Sequence, residues 1–182
     1  MLQTLKTTYN KPLIALQTNS SKTSQFNINE PFALECGEVF DSLTISYSTY
    51  GQLNQARDNV IWVCHALTAD ANPKDWWQGL VGKHDLFNPD EHFIVCANVI
   101  GSPYGSTSPL NCDEDKRFDA FPQVSIRDNV KAFIQLRKHL GIDKIHTLIG
   151  GSMGGHQAME WAISEPEIVE KLILLATSAV LS

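Results

Sequence analysis

The 182-residue chain contains no apolar run near the roughly 18–20 residues that a helix needs to cross a bilayer. The stretch from Pro12 to Leu16 is too short for the core of a secretory signal. Both absences argue against a membrane protein and predict a cytoplasmic one. Cations are few, 14 Lys and Arg against 20 Asp and Glu for a formal charge of −6. With no basic cluster beyond Arg137-Lys138, a nucleic-acid partner is not expected. Cysteine is scarce too, and Cys36, Cys64, Cys96 and Cys112 never fall at Cys-x-x-Cys spacing, so neither a disulfide framework nor a zinc site is expected. The first three lie in predicted strands, where a reduced thiol behaves as a small hydrophobe. Also missing are Gly-x-Gly-x-x-Gly and Gly-Lys-Ser/Thr, the signatures of nucleotide-binding turns.

What is present is ordinary for a folded domain: 43% apolar and 19% charged residues, in a chain of single-domain length. Residues 1–30 are polar, show no sustained apolar period and read as an N-terminal arm. From Phe32 the pattern changes. The runs 32–40 and 43–50, separated by Asp41-Ser42, predict an antiparallel hairpin or meander closed by Gly51. The runs 59–65, 93–100, 145–149 and 172–176 are almost continuously apolar, as strands buried on both faces are. Between them Ile126, Val130, Phe133 and Leu136 step at helical spacing, with Gly141 where a helix ends. A further helix is expected from about Gly154 to Ser164, stopping before Pro166. Alternating strand and helix predicts an α/β fold, a mostly parallel sheet with helices on both faces.

The strongest local signal is Gly150-Gly151-Ser152-Met153-Gly154-Gly155, set between a buried strand and a helix. It satisfies Gly-x-Ser-x-Gly in the context that makes this motif a nucleophile turn. Ser152 is the candidate nucleophile. The N–H of Met153, at the positive end of the helix, is one candidate oxyanion donor. The other is the N–H of Leu67, in the loop His65-Ala66-Leu67-Thr68 that follows an earlier central strand. In this motif's chain order the general base follows the serine, so His65 reads as loop scaffolding. His156, one turn into the serine's own helix, would have to bend back to reach it and is not the expected base. Glu160, Glu165, Glu167 and Glu170 read as a solvated face and loop. The turn Gly101–Pro109 lies past another strand end, where parallel sheets bind ligands, and reads equally as a substrate-pocket loop or a plain loop. Trp76 and Trp77 read as core.

Taken together, these stretches resemble the homoserine O-acetyltransferase family of α/β-hydrolase-fold acyltransferases. The matching residues are His65-Ala-Leu-Thr68 with Asp70, Phe93 to Pro109 with its Gly105-Ser-Thr107, and Ile149 to Ile163. The resemblance implies a ping-pong reaction, in which Ser152 takes an acetyl group from acetyl-CoA as co-substrate and passes it to the hydroxyl of homoserine, on the way to methionine. It implies no bound metal or cofactor, and a homodimer for the full-length enzyme. Thr68 is placed near the amino-acid substrate, and Tyr104 and Gly105 are the further substrate-binding candidates. Ala69 stands where the family usually has glycine, and Ser102-Pro-Tyr104 departs from its usual segment. Serine as acceptor and succinyl-CoA as donor therefore remain as alternatives, as do a small-ester hydrolase and an inactive fragment or interaction module. The aspartate, histidine and arginine that the family uses later in its chain have no counterpart after Ser152. Residues 31–182 are accordingly expected to be the N-terminal part of a longer domain.

Overall fold

The structure, a computed structural model, describes residues 22–179. A six-stranded sheet holds β1 (Lys22–Ile28), β4 (Leu43–Tyr50), β6 (Phe93–Ala97), β5 (Val60–Cys64), β7 (Thr147–Gly151) and β8 (Leu172–Leu175), in that spatial order. The pairs β1–β4 and β4–β6 are antiparallel, and β6, β5, β7 and β8 run parallel. This is the α/β, mostly parallel architecture that the apolar runs predict.

Three elements differ from the sequence reading. Residues 1–21 of the predicted arm lie outside the described residues, but Lys22–Ile28 is an edge strand paired along its length with β4. Only Phe26 and Ile28 supply its inward apolar side, with the Phe26 ring 4.6 Å from that of His139, while Thr23, Gln25 and Asn27 face out. So sparse an alternation does not stand out in a polar segment. The expected hairpin of 32–40 with 43–50 splits: β2 (Phe32–Ala33) and β3 (Val39–Phe40) form their own ribbon, and β4 enters the main sheet. The exposed Cys36 lies in the turn of that ribbon rather than in a strand.

The third difference concerns the layers. Strand β5 is wholly buried, with Val60, Trp62 and Cys64 facing one core and Ile61 and Val63 another. The first core lies under α2 (Ile126–His139) and α3 (Met153–Ser164), where Trp62 meets Trp161 edge-on at 4.7 Å and Phe133 at 6.2 Å. Among the described residues both long helices cover this one face. The chain moves the same way along the sheet from β6 to β7 and from β7 to β8, so two right-handed crossovers put their helices on the same side. The opposite face is covered by Leu80, Val81 and Phe87, with Trp76 and Trp77 beside them; Trp76 ends the one-turn helix α1 (Pro73–Trp76).

Local chemistry sets the helix ends. Ser125 caps α2 by accepting from the Asp128 N–H at 3.1 Å, and the Asp128 carboxylate in turn accepts from the Ser125 N–H at 3.0 Å. Gly141, at φ +67°, follows the last turn. The buried Arg137 pairs with Glu165 at 3.0 Å, which removes Glu165 from the solvated face expected of it. Leu172, Leu174 and Leu175 of β8 are about 40% exposed, since β8 has only β7 beside it among the described residues.

Candidate active site

Strand β7 turns into α3 within a single residue, Ser152, at φ 54° and ψ −122°. A non-glycine residue holds such a conformation only when its surroundings force it. They do so through two backbone contacts. A Cβ on Gly150 would lie 2.1 Å from the Gly154 carbonyl oxygen, and one on Gly154 would lie 2.1 Å from the carbonyl oxygen of Cys64 and 2.9 Å from that of His65. The elbow is therefore pressed against the end of β5, and the Ser152 N–H fastens it to the Leu175 carbonyl at 3.0 Å. The Ser152 side chain is left exposed, with no hydrogen-bond partner among the described residues.

Two amides converge on the same edge. Met153 is the first residue of α3, so its N–H has no partner inside the helix and sits at the positive end of the dipole. The β5 strand runs into a turn closed by the Ala69 N–H donating to the Ala66 carbonyl at 3.1 Å, which leaves the N–H groups of Leu67 and Thr68 free in its middle. Both residues are exposed. A cleft of about 300 Å³ opens beside Ser152, lined by Ala66, Trp76, Trp77, Leu175 and Ala176. Its walls are apolar, so it suits a small uncharged group better than a charged one.

The two tryptophans pack on the core, as the sequence reading has them, and also line the cleft, which that reading did not include. Their rings, 5.5 Å apart, pack one side on the second core and turn the other to the cleft. Trp76 is aimed by its Nε1–H, which donates to the Asp70 carbonyl at 3.0 Å. The available signal was their place shortly after β5, on the ligand-binding edge of the sheet.

His65 is buried at 1% exposure with both ring nitrogens engaged, Nδ1 with the Ala66 carbonyl at 2.8 Å and Nε2 with the Val99 N–H at 3.2 Å. It is scaffold, as its place in the chain implied. His156 turns Nε2 to the Ser178 carbonyl at 3.1 Å. Neither ring is offered to Ser152 as a base. Tyr104 and Gly105 lie in the loop after β6 rather than on the cleft lining. A Cβ on Gly105 would come 3.1 Å from Ser46 of β4, and β4 stands three strand positions from β7, roughly 14 Å at sheet spacing. The Tyr104 ring is 52% exposed. Burial raises the Cys64 and Cys96 thiols far above their ordinary range, so both stay protonated and inert. Among the described residues no three His, Cys, Asp or Glu side chains gather as a metal would require, and no helix is long and apolar enough to cross a membrane.

A serine on a strained strand-to-helix turn, with free amides on two sides, defines the nucleophile-elbow class of α/β enzymes. The chain belongs to the alpha/beta hydrolase fold family, whose model matches residues 59–182. Within that family it is similar to homoserine O-acetyltransferases, as the motifs indicated. It is 48% identical over 157 residues to the one from Cyclobacterium marinum, across 85% of this chain and 45% of that protein. The crystal structure of homoserine O-acetyltransferase from Staphylococcus aureus superposes with a TM-score of 0.76 at 35% identity, over 90% of this chain and 49% of that one. An acetylester hydrolase from Corynebacterium glutamicum gives the same TM-score at 30% identity, over 83% and 43%. The chain thus spans about 45% of the length of the curated relatives it matches.

Proposed function

We propose that the complete protein is a serine-nucleophile O-acyltransferase that moves an acetyl group from acetyl-CoA to the side-chain hydroxyl of homoserine. The observation that carries this reading is Ser152 itself, exposed on its elbow at the start of α3 beside the unpaired Met153 N–H, with Ala66, the residue before Leu67, on the lining of the same cleft. The Ser152 Oγ attacks the thioester carbonyl, and the oxyanion is met by the two amides. CoA then leaves as the thiol, carrying the proton taken from Ser152. The homoserine hydroxyl attacks the acyl-serine, the ester forms and Ser152 regains its proton. On this reading the base and its acidic partner come from outside residues 22–179, since both ring nitrogens of His65 and the Nε2 of His156 are engaged with backbone groups. Support for the acceptor and the donor comes from relatives that are named homoserine O-acetyltransferases. The same reading carries a place in methionine synthesis, a cytoplasmic homodimer and no bound metal or cofactor.

The test is CoA release from acetyl-CoA by the complete protein. Release that requires homoserine and disappears in Ser152→Ala is the expected result. Faster release with serine, or from succinyl-CoA, would move the acceptor or the donor within the family. A second reading, hydrolysis of small acetyl esters, is favoured by the likeness to an acetylester hydrolase. It predicts ester turnover that no hydroxy amino acid accelerates.

A further inference from the structure

Close to Ser152 and the Met153 amide, the buried side chain held at both of its polar atoms is His65. Its tautomer follows from its partners. A carbonyl only accepts, so the Nδ1 facing the Ala66 oxygen at 2.8 Å carries the proton. A backbone N–H only donates, so the Nε2 facing Val99 at 3.2 Å is bare. Burial lowers the His65 pKa, against smaller opposing effects of the Ala66 carbonyl and Asp70, so the ring is neutral near pH 7. The carbonyl of Ala66 and the N–H of Leu67 belong to one planar trans peptide and point in opposite directions. Anchoring the first therefore aims the second. The Ala69 N–H holds the same oxygen from another side at 3.1 Å. The aim is relevant to Ser152 because Ala66 lines its cleft and Gly154 packs the elbow onto the Cys64 and His65 carbonyls.

We infer that His65 is a positioning residue for acyl transfer: by holding the Ala66–Leu67 peptide, it directs the Leu67 N–H at the oxyanion formed on Ser152. The ring thereby couples the end of β6, through Val99, to a donor on the loop after β5. This rests on Ser152 being the nucleophile. A mere scaffold role would require only that the pocket be filled and the ring nitrogens satisfied. The positioning role requires the Nδ1–H in particular.

The experiment uses the complete protein and p-nitrophenyl acetate, whose acylation burst reads the first half-reaction without an acceptor. In His65→Gln the side-chain oxygen can take the Val99 N–H, but nothing reaches the Ala66 carbonyl. In His65→Asn the amide nitrogen stands near the place of Nδ1 and can donate to Ala66. The acylation rate of His65→Gln is expected to fall roughly 10- to 100-fold, up to the lower end of what removing an oxyanion donor costs, with KM little changed. His65→Asn is expected to recover a severalfold part of that loss. Equal, near wild-type rates per folded molecule in both variants would overturn the inference. Ser152→Ala run alongside separates the two readings. A burst surviving in it overturns both, whereas a burst lost there but kept at full rate in His65→Gln overturns the positioning role alone. Should the variants not fold, nitrogen NMR of the histidine rings in the unaltered protein decides. A proton on Nδ1 of His65 is expected, and a proton on Nε2 would overturn the inference.

Discussion

The β7–α3 elbow and the loop after β6 are built from the same residue types, glycine and serine above all, and both stand at the carboxyl edge of the sheet. They differ in where their polar groups go. At the elbow the glycines bring backbones together, and the Ser152 hydroxyl and the Met153 N–H are left free. In the loop nearly every polar side chain is engaged. The Asn98 N–H continues the sheet by donating to the Ser46 carbonyl at 2.8 Å. Beyond it the Ser106 Oγ accepts from the Ser46 N–H at 3.0 Å and donates to the Asn98 carbonyl at 2.9 Å. The Thr107 Oγ1 accepts from the Thr44 N–H at 2.8 Å. Side chains here substitute for strand partners that β4 would otherwise lack. A Gly-Ser-rich turn is thus a site where its groups stay free and a splice where they do not.

The largest effect that could break this contrast comes from Gly154→Ala. The new methyl would lie 2.1 Å from the Cys64 carbonyl oxygen, a backbone atom that cannot swing aside. Helix α3 must then lift from β5, which separates the Met153 amide from the loop carrying Leu67. We expect ester acylation to fall by about 10²-fold or more, together with a loss of about 1–3 kcal/mol in stability from overpacking. Urea unfolding and the acylation burst on the same preparation measure both. Retained acylation in Gly154→Ala would mean that the packing of the elbow on β5 does not set the site.

Ser106→Ala should behave in the opposite way. Ser106 is fully buried, and its loss leaves the Ser46 N–H without a partner. An orphaned buried donor costs about 1–3 kcal/mol, read as a lower urea midpoint with unchanged slope. The acylation rate per folded molecule should stay at the wild-type value. A rate loss without a stability loss would put the loop in the site and erase the distinction.

This contrast also explains what could be read from the sequence. The elbow was legible because part of its pattern is dictated locally, Gly150 by the Gly154 carbonyl and Ser152 by the start of the helix, even though Gly154 itself answers to the distant Cys64 carbonyl. Leu67 was legible by its place after a central strand. The faces of the sheet were not, because the side on which α2 and α3 fall depends on strand order, which apolar runs do not encode. Trp76 and Trp77 were half legible, since one ring can serve a core on one side and a cleft on the other. The loop after β6 was ambiguous for the same kind of reason. Whether Ser106 is free depends on Ser46, sixty residues away in the chain.

One side chain of that loop escapes the pattern. The Tyr104 ring is 52% exposed, and its hydroxyl has no partner among the described residues, although its backbone carbonyl is held by the Asn98 side-chain amide at 2.8 Å. Of Tyr104, Ser106 and Thr107, only the Tyr104 phenol has no partner among the described residues, and since it lies off the lining of the Ser152 cleft, a contact with substrate would be made far from the reacting carbonyl. Tyr104→Phe removes the hydroxyl alone and should shift stability by no more than about 0.5 kcal/mol, as surface changes do. It should raise KM for the acceptor a few-fold with little change in kcat, the signature of a contact made equally in ground and transition states. An unchanged KM would assign the whole loop, Gly105 included, to the support of β4, and would leave the elbow and the Leu67 turn as the functional edge of this half of the sheet.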